Sequence, residues 1–338
     1  MKTINLHSEK SHFPVLLNEF IKICKPKNGK NFLDCTFGGG NYSRKILSFS
    51  GTKVSAIDRD SNALKFAEKV KKKFPKRFKF YNEKFSNIEN TFKNEKFDYI
   101  IFDLGLSSYQ IYDKTRGFSF NSDCKLNMKM GLSQVDAYNV INNFDEKKLK
   151  SIIKVFGEEF EARRIVKKII DKRKKKEIFS ALELRQIIES SKIKNHKKKI
   201  NPSTKTFQAL RIFVNKEISE LIEGINQATK ILKSGGKIFV ISFHSIEDKI
   251  VKFFFKNFSN SRSGNSRYLP ENKNKNNIFF KNYDNKIIRP SPEEIAKNPN
   301  SRSAKLRFAT RNNQKHINSD ELYKKFENYL YIEGLNEK

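Results

Sequence analysis

Apolar and polar positions follow two different periods between residues 31 and 104. Four short runs rich in apolar and aromatic residues have the length and composition of buried strands: NFLDC (31–35), KVSAID (53–58), RFKFYN (77–82) and FDYIIFDLG (97–105). Between the second and third runs, Leu64, Ala67 and Val70 recur at helical spacing behind Asp60, a residue type that caps helices. Strands that alternate with helices predict a parallel α/β sheet with right-handed crossovers.

The alternation stops after residue 105, and no convincing strand follows before residue 206. Instead, FEARRIVKKIIDKRKKK (160–176) predicts an amphipathic helix whose apolar face comprises Ala162, Ile165, Val166, Ile169 and Ile170. FSALELRQIIES (179–190) predicts another helix, capped by Ser180. We therefore expect an inserted helical domain at 106–205. It interrupts a discontinuous α/β domain formed by 1–105 and 206–312, and a C-terminal tail follows at 313–338.

The α/β pattern resumes with one long predicted helix at 206–232. Its apolar stripe comprises Phe207, Leu210, Val214, Ile218, Leu221, Ile222 and Ile225. Gly235 or Gly236 in KSGG is expected to cap its C-terminal end, because glycine adopts the left-handed conformation found there. The run KIFVISF (237–243) then predicts a buried strand.

The last part of the chain predicts one more helix and one more strand. The pattern Ser245-x-x-Asp248 is typical of a capping box that begins a helix. Residues 259–285, rich in Ser, Asn and Lys, predict a surface loop, and the basic run at 192–205 predicts an exposed connector. SAKLRFATR (303–311) is the expected last strand, followed by a short helix in the tail.

Composition indicates the partner and the compartment. The 338 residues carry a formal net charge of +32, with 31% charged and 37% hydrophobic residues. A field this positive attracts polyanions, above all nucleic acid, although a compositional drift toward lysine over a solvated surface is the alternative explanation. The cysteines (Cys24, Cys35 and Cys124) lie far apart, which argues against a zinc site or a disulfide framework. Without a membrane-length apolar run or a secretory signal, the chain is expected to be soluble and cytoplasmic. The sequence also predicts no metal site.

The stretch LDCTFGGGNYS (33–43) joins the first strand to the first helix through three glycines, which let the backbone approach a ligand at the carboxyl edge of the sheet. Asp58 ends the second strand, where a carboxylate accepts hydrogen bonds from both ribose hydroxyls of an adenosine. The third glycine of the dinucleotide fingerprint is missing, so S-adenosylmethionine (SAM) is favoured over NAD and FAD. Asp34 is then expected near the ammonium group of SAM. A purely structural glycine turn is the remaining alternative.

Two further residues follow predicted strands and are candidates for the same cleft. Asp103 ends the fourth strand, where a methyltransferase of this fold places its reacting groups; the alternative is a simple turn or helix-cap acid. His244 follows the fifth strand in a position expected to face the cleft. A lone histidine is more often structural than catalytic.

Successive blocks of the chain resemble the signature motifs of the RsmH/MraW family of bacterial methyltransferases. In order, they are HFPVLLNE, DCTFGGGNYS, DLGLSSYQ, RGFSF, FGEE, NPSTKTFQALRI, SFHSIEDKIVK and RSAKLR, and they span about residues 12–311. The resemblance implies a class I SAM-dependent methyltransferase fold, Rossmann-like, with a helical domain inserted after the fourth strand. It also implies methylation of the exocyclic N4 of cytidine 1402 in 16S rRNA, at the decoding centre of the small ribosomal subunit.

Carried over motif by motif, the resemblance implies a set of cofactor-binding residues: Gly40, Asn41, Tyr42, Asp58, Phe85, Asp103 and Gln110. In this set Asp58 holds the ribose and Phe85 lies beside the adenine. The chain departs from the family pattern where Asn41-Tyr42 replaces Gly-His, Tyr109 replaces Pro and Asn201 replaces His. Asn tolerates a left-handed backbone better than other non-glycine residues, so the turn survives. In the family pattern the His makes a side-chain contact, and its replacement by Tyr42 puts that contact in question.

The implied reaction is an in-line methyl transfer from a sulfonium to an aromatic amine. Because the lone pair of the cytosine amine is delocalised into the ring, catalysis must come mainly from positioning N4 and from accepting hydrogen bonds as the amine becomes positive. The target base is expected to leave its stack to reach the cleft. A strong general base is not required, and the pattern identifies no catalytic residue.

Basic residues in the insert predict that this part of the chain contacts RNA rather than SAM. They are Arg163, Arg164, Lys167, Lys168 and the lysines between 192 and 199. Two other functions stay open. An RNA-binding assembly factor that lost catalysis is disfavoured by the intact Asp58, Asp103 and Gln110. A nicotinamide-dependent oxidoreductase is disfavoured by the glycine spacing and the charge. Monomer and homodimer are equally compatible with the sequence, as are naked RNA and an assembled small subunit as substrate.

Overall fold

The computed structural model describes residues 14–192, 201–260, 278–315 and 319–336. Its strands are β1 (Asn31–Asp34), β2 (Lys53–Ile57), β3 (Phe78–Tyr81), β4 (Phe97–Asp103), β5 (Leu232–Ser242) and β6 (Lys305–Thr310). Its helices are α1 (Leu17–Cys24), α2 (Asn41–Leu47), α3 (Leu64–Lys73), α4 (Ile88–Thr91), α5 (Ser108–Tyr112), α6 (Ala137–Asn143), α7 (Glu146–Phe156), α8 (Ala162–Arg173), α9 (Ala181–Ser191), α10 (Thr204–Asn215), α11 (Glu217–Ile231), α12 (Ser245–Asn257), α13 (Pro292–Lys297), α14 (Asp320–Lys325) and α15 (Glu327–Glu333).

The strands form one sheet in the order β3-β2-β1-β4-β5-β6. The first five strands run parallel and β6 pairs antiparallel with β5, so the predicted α/β sheet is confirmed. The strand order reverses between β1 and β4. In open parallel sheets a crevice forms at such a point, at the carboxyl edge, because the flanking connections leave to opposite sides.

The single helix predicted at 206–232 is wrong, because Lys216 breaks it into α10 and α11. Lys216 has a left-handed backbone with φ of 50°. The buried side chain of Asn215 compensates for the break: its Nδ2 donates to the carbonyls of Met128 (2.8 Å) and Arg211 (2.9 Å). Both halves keep the same apolar stripe, so the periodicity alone could not reveal the interruption.

The predicted helix cap at Gly235 or Gly236 is also wrong. The helix ends at Ile231, and β5 begins immediately, at Leu232. The glycines lie inside β5, where the register against β4 shifts between Phe97 and Tyr99. Gly235 has φ of +77°, so it serves an irregularity in the strand rather than a helix end.

The capping box of α12 lies one residue earlier than predicted. His244 is the N-cap: its Nδ1 accepts from the Glu247 amide (3.5 Å), and Glu247 Oε2 accepts from the His244 amide (3.3 Å). Asp248 is therefore free for a different role. Its Oδ1 accepts from Nε of Arg307 at 2.7 Å, and Arg307, on β6, is 2% exposed. This ion pair joins α12 to the edge strand.

Helices α5 to α9 occupy the segment predicted as a helical insert. Among its described residues there is no strand, only an isolated bridge between Lys125 and Ser180. The predicted apolar face of α8 is buried except for Ile170, which is half-buried, and Ser180 caps α9 with Glu183 in a capping box. One hydrophobic cluster extends from Phe102 in β4 to Ile165 in α8. The sheet and these helices are thus held together by continuous packing.

The prediction of a surface loop at 259–285 is wrong for Phe279 and Phe280. Phe279 and Phe280 are fully buried, and the Phe279 ring stacks on Phe258 with centroids 5.0 Å apart. Residues 261–277 lie outside the described part of the chain, as do residues 193–200 of the predicted basic connector. The tail forms α14 and α15 rather than one short helix. Within the described ranges, no helix is both long and apolar enough to cross a membrane.

Replacing Asp248 with alanine is expected to destabilise the protein by about 3–5 kcal/mol, because the buried guanidinium of Arg307 loses its charge partner. Urea denaturation followed by circular dichroism measures the change. The matched control is Lys79→Met, which removes an exposed ion pair with Glu95 and should cost at most about 1 kcal/mol. If Asp248→Ala cost no more than this control, the ion pair would not hold the edge strand.

Candidate functional site

A cleft of about 780 Å³ opens at the carboxyl edge of the sheet. Of the residues predicted to bind the cofactor, those that line it are Asn41, Tyr42, Asp58, Phe85, Asp103 and Gln110. They reach one cavity because they follow β1, β2, β3 and β4, whose carboxyl ends lie side by side. Gly40 belongs to the same turn but does not itself line the cleft.

The glycine turn after β1 is required by local geometry. Gly40 has φ of +79°, and a Cβ there would lie 2.6 Å from Cζ of Phe37, so no other residue fits without moving that ring. Gly38 also has positive φ, and its amide donates to Oδ2 of Asp58 at 2.7 Å. Gly40 thus shapes the turn, while Gly38 joins it to the end of β2.

The residues beside the turn have structural partners of their own. Asp34 is 1% exposed and accepts from Oγ of Ser43 at 2.7 Å. It does not line the cleft, so its expected contact with an ammonium group is wrong. The buried Tyr42 hydroxyl donates to the carbonyl of Val15, so this side chain anchors the segment before α1. Asn41 begins α2 and accepts a hydrogen bond from Arg44.

Asp58 accepts one backbone hydrogen bond on each carboxylate oxygen. Oδ2 accepts from the Gly38 amide (2.7 Å), and Oδ1 accepts from the Asp60 amide (2.8 Å). Each carboxylate oxygen has a second lone pair, so the group can also accept from two hydroxyls in the cleft. Burial raises the pKa of Asp58 to about 6, although these hydrogen bonds oppose the shift.

Phe85 reaches the cleft because a glycine in α11 leaves room for its ring. A Cβ at Gly224 would lie 2.5 Å from Cδ2 of Phe85. The ring also packs edge-on against Phe102, with centroids 5.5 Å apart. Sequence reasoning missed Gly224, although a glycine in the middle of an apolar helical stripe is a signal of close packing.

Asp103 carries a buried polar atom without a partner. Its Oδ1 has no hydrogen bond to any described residue, while its amide donates to Oγ1 of Thr36 at 2.7 Å. Burial, reinforced by the negative charges of Asp34, Glu247 and Glu294, raises the pKa of Asp103 well above its usual value. A buried carboxylate oxygen without a donor is suited to bind a cation or an N–H group of a ligand.

Gln110 and Arg116 form a network with Asp60 that sequence reasoning missed. Gln110 donates from Nε2 to Oδ2 of Asp60 at 2.8 Å and accepts from the Ser107 amide at 3.0 Å. Both terminal nitrogens of Arg116 bond the Asp60 carboxylate. Asp60 also caps the predicted helix start, by accepting from Asn62 at 3.0 Å. The network fixes the segment after β4 against the loop after β2.

A second polar cluster borders the cleft, which its members Glu217 and Glu247 line. Arg211 pairs with Glu217 through Nε (2.8 Å) and Nη2 (2.9 Å), and Nε2 of His244 lies 3.1 Å from Oε1 of Glu247. Burial opposes ionisation of Glu247, but His244 and Arg211 hold its pKa below the usual value. Glu217, His244 and Glu247 offer ligand atoms within 4.8 Å of one another, the spacing of a cation site. Arg211 already supplies a positive charge to this cluster.

His244 has a structural place in the cluster. Its side chain is 6% exposed and caps α12, and it is Glu247, not His244, that lines the cleft. The cleft-facing position predicted for His244 is therefore wrong. A parallel sheet with a glycine turn after β1 and an acid after β2 places the protein in the class of Rossmann-like folds that bind an adenosine-containing cofactor at this edge.

Comparison with known proteins identifies the family within that class. The sequence model of the MraW methylase family matches residues 9–312, and the chain belongs to this family. A relative from Ehrlichia ruminantium (strain Welgevonden), named ribosomal RNA small subunit methyltransferase H, is 45% identical over 303 residues, which are 88% of this chain and 98% of the relative. A protein of the same name from Rickettsia canadensis (strain McKiel) is 42% identical over 302 residues, 89% and 98% of the two chains.

A solved structure titled as an rRNA methylase from Streptococcus thermophilus matches with a TM-score of 0.40 and 9% identity, over 89% of this chain and 98% of that one. The family assignment rests on the closer sequence matches. It confirms the RsmH/MraW resemblance and SAM as the cofactor. The dinucleotide alternatives are wrong.

The affinity for SAM is expected to fall about tenfold for each pH unit below about 6, because the ribose hydroxyls donate best to an ionised Asp58. Isothermal titration calorimetry between pH 5 and pH 7.5 measures this dependence. Asp58→Asn should weaken binding at pH 7.5 by about 1.5–3 kcal/mol and remove most of the pH dependence. If the variant kept the wild-type affinity and slope, Asp58 would not contact the ribose.

Proposed function

We propose that this protein transfers a methyl group from SAM to the exocyclic N4 of cytidine 1402 in 16S rRNA of the small ribosomal subunit. Its membership of a methylase family, the names of its relatives and a net charge of +32 support an rRNA substrate. The observation that carries the proposal is the unpartnered Oδ1 of Asp103 at the wall of the cleft. An amine that gains positive charge needs such an acceptor.

The predicted cofactor residues have distinct parts in the proposed binding site. Asp58 accepts from the ribose hydroxyls, Phe85 packs beside the adenine, and Gly40, Asn41 and Tyr42 shape the turn that receives the methionine part. Gln110, held by Asp60, keeps the segment after β4 in place. When bound, SAM supplies an electrophilic methyl group on a positively charged sulfonium. The acidic side chains of the cleft complement that charge.

The space beside Asp103 fits a planar base. Gly105 has φ of +89°, and a Cβ there would meet only Cδ2 of Phe243 at 3.6 Å and Nη1 of Arg211 at 4.0 Å. A cytosine in this space can place its amine against Asp103 and its ring beside Phe243. The guanidinium Nη1 of Arg211, which makes no hydrogen bond to the described residues, is then a donor for an acceptor atom of the base.

The proposed step forms a carbon–nitrogen bond and breaks the carbon–sulfur bond. Asp103 accepts a hydrogen bond from the amine while the nitrogen becomes positive, which stabilises the transition state. One proton leaves the nitrogen after the transfer, to Asp103 or to water. Positioning of N4 in line with the methyl group supplies the rest of the rate enhancement.

We also propose a division of labour along the chain. Residues 1–105 and 206–312 form the catalytic domain, and 106–205 form the insert that contacts RNA. Exposed basic residues on α8, namely Arg163, Arg164, Lys167 and Lys168, support RNA contact. The proposed compartment is the bacterial cytoplasm, where small subunits are modified.

Labelled SAM and small subunits that lack the modification test the function. After incubation, nuclease digestion and nucleoside mass analysis should locate one N4-methylcytidine, at position 1402. A parallel reaction with naked 16S rRNA shows whether the assembled subunit is needed. A methyl group on another nucleotide would overturn the proposed specificity. Binding to subunits without any methyl transfer would favour the assembly-factor alternative.

Asp103→Asn is expected to lower the turnover about 100-fold or more, because it keeps the shape but replaces the carboxyl group that accepts the hydrogen bond of the amine. The affinity for SAM should change much less, and calorimetry with single-turnover kinetics separates the two effects. The control Asp98→Asn alters an acid at the opposite end of the same strand, which pairs with Lys30 and Lys233, and should retain turnover. Equal losses of affinity and turnover in Asp103→Asn would make Asp103 a cofactor ligand only.

A further inference from the structure

One aromatic side chain in the insert is exposed almost completely. Phe160, in the turn between α7 and α8, is 96% exposed, more than any other large hydrophobic side chain of the described residues. A single exposed apolar residue is ordinary on a protein surface. Phe160 differs because the turn that carries it is held rigidly by buried and charged contacts.

The backbone of this turn has no freedom to bury the ring. A Cβ at Gly157 would lie 2.6 Å from the carbonyl oxygens of Ile153 and Lys205, so the chain passes through a space that only glycine fits. Glu158 has a left-handed backbone with φ of 46°. Nζ of Lys205 donates to the Glu158 carbonyl at 2.7 Å. These contacts hold the turn against α7 and the start of α10.

Side-chain bonds connect the same turn to the catalytic cleft. The Glu158 carboxylate accepts from Oγ of Ser245 and from Nζ of Lys249 at 2.6 Å. Ser245 begins α12, the helix whose Glu247 lines the cleft. The turn that carries the exposed ring is therefore held against the first turn of a helix that forms one wall of the site.

The surface around the ring is cationic. The acids of the turn are each paired, in the ion pairs Glu158–Lys249, Glu159–Lys192 and Glu161–Arg164. Nζ of Lys205 lies 5.3 Å from the centroid of the Phe160 ring, and the exposed Arg163 forms no ion pair with the described residues. Proteins bind single-stranded nucleic acid with this combination, in which an aromatic face stacks on a base and nearby cations contact the phosphates.

We infer that Phe160 is a stacking platform for an unpaired RNA base that flanks the base entering the cleft. The assignment of RNA rests on the proposed function, and the ring and its surroundings supply the position. When a target base leaves its stack, its neighbours lose a stacking partner as well. A protein partner fits less well, because a protein interface needs a contiguous apolar patch rather than one ring among charges.

The absence of tryptophan from the sequence allows a direct test. Phe160→Trp creates a protein with a single indole, whose fluorescence is quenched when a nucleobase stacks on it. The matched control is Ser50→Trp, at an exposed position in the turn before β2, on the opposite edge of the sheet from the cleft. The probes are a ten-nucleotide oligocytidine RNA and inorganic polyphosphate of equal charge, which has no bases.

We expect saturable quenching of Phe160→Trp by the RNA but not by polyphosphate, and none in Ser50→Trp. Phe160→Ala and Phe160→Leu should each weaken RNA binding roughly 5- to 100-fold, and Phe160→Tyr should retain it, because stacking needs an aromatic face. The salt dependence of RNA binding and the affinity for SAM should not change, since no charge is removed.

Equal quenching by polyphosphate, or full RNA affinity in Phe160→Ala, would overturn the inference. Sedimentation that shows loss of self-association in Phe160→Ala, without loss of RNA affinity, would assign the ring to a contact between two copies of the chain. The methylation assay separates this inference from the proposed function. Quenching without methyl transfer would support the stacking role of Phe160 and overturn the proposed function. Methyl transfer without quenching would support the proposed function and overturn the stacking role.

Discussion

The whole site depends on how one carboxylate, Asp58, is satisfied. Its two oxygens accept amide hydrogens from the loops after β1 and β2, so a single buried acid holds the glycine turn and the start of the next loop together. The second loop contains Asp60, whose own carboxylate holds Gln110 and Arg116 from the segment after β4. Three strand ends are thereby fixed to one another by two acids.

The distribution of charge separates the two substrates in space. The chain as a whole is strongly basic, with a net charge of +32, yet the cleft has more acids than basic residues in its lining: Asp58, Asp103, Glu217, Glu220 and Glu247 against Arg44, Arg59 and Lys69. Such a cleft favours a cationic cofactor and repels phosphate groups. In the proposed function, the polyanion binds the basic outer surface and an uncharged base enters the cleft. The same electrostatics therefore favour the proposed removal of the target base from its stack.

The predictions that failed share a physical origin. Lys216 breaks a continuous apolar stripe, and the capping box of α12 begins at His244 rather than Ser245. Asp34 matches a ligand-binding acid by position, but Ser43 occupies its carboxylate. In each case several residues satisfy the same local rule, and hydrogen bonds that the pattern does not specify decide which one is used. Asn215, for example, makes the break tolerable only because Met128 and Met130 lie beside it.

The sequence by itself determined the order of strands and helices, the glycine turn, the acids at the strand ends and the family, because these depend on local periodicity and on short motifs. Only the tertiary structure decided which polar groups have hydrogen-bond partners within the protein and which can still bind a ligand. Asp103 and Asp34 look alike in the sequence, but one has an unpartnered oxygen in the cleft, whereas the other accepts from Ser43 and does not line the cleft. The close packing at Gly224 and the position of the turn that carries Phe160 likewise depend on residues far away along the chain. Hydrogen bonding and close packing act across space, and local sequence patterns do not encode those distances.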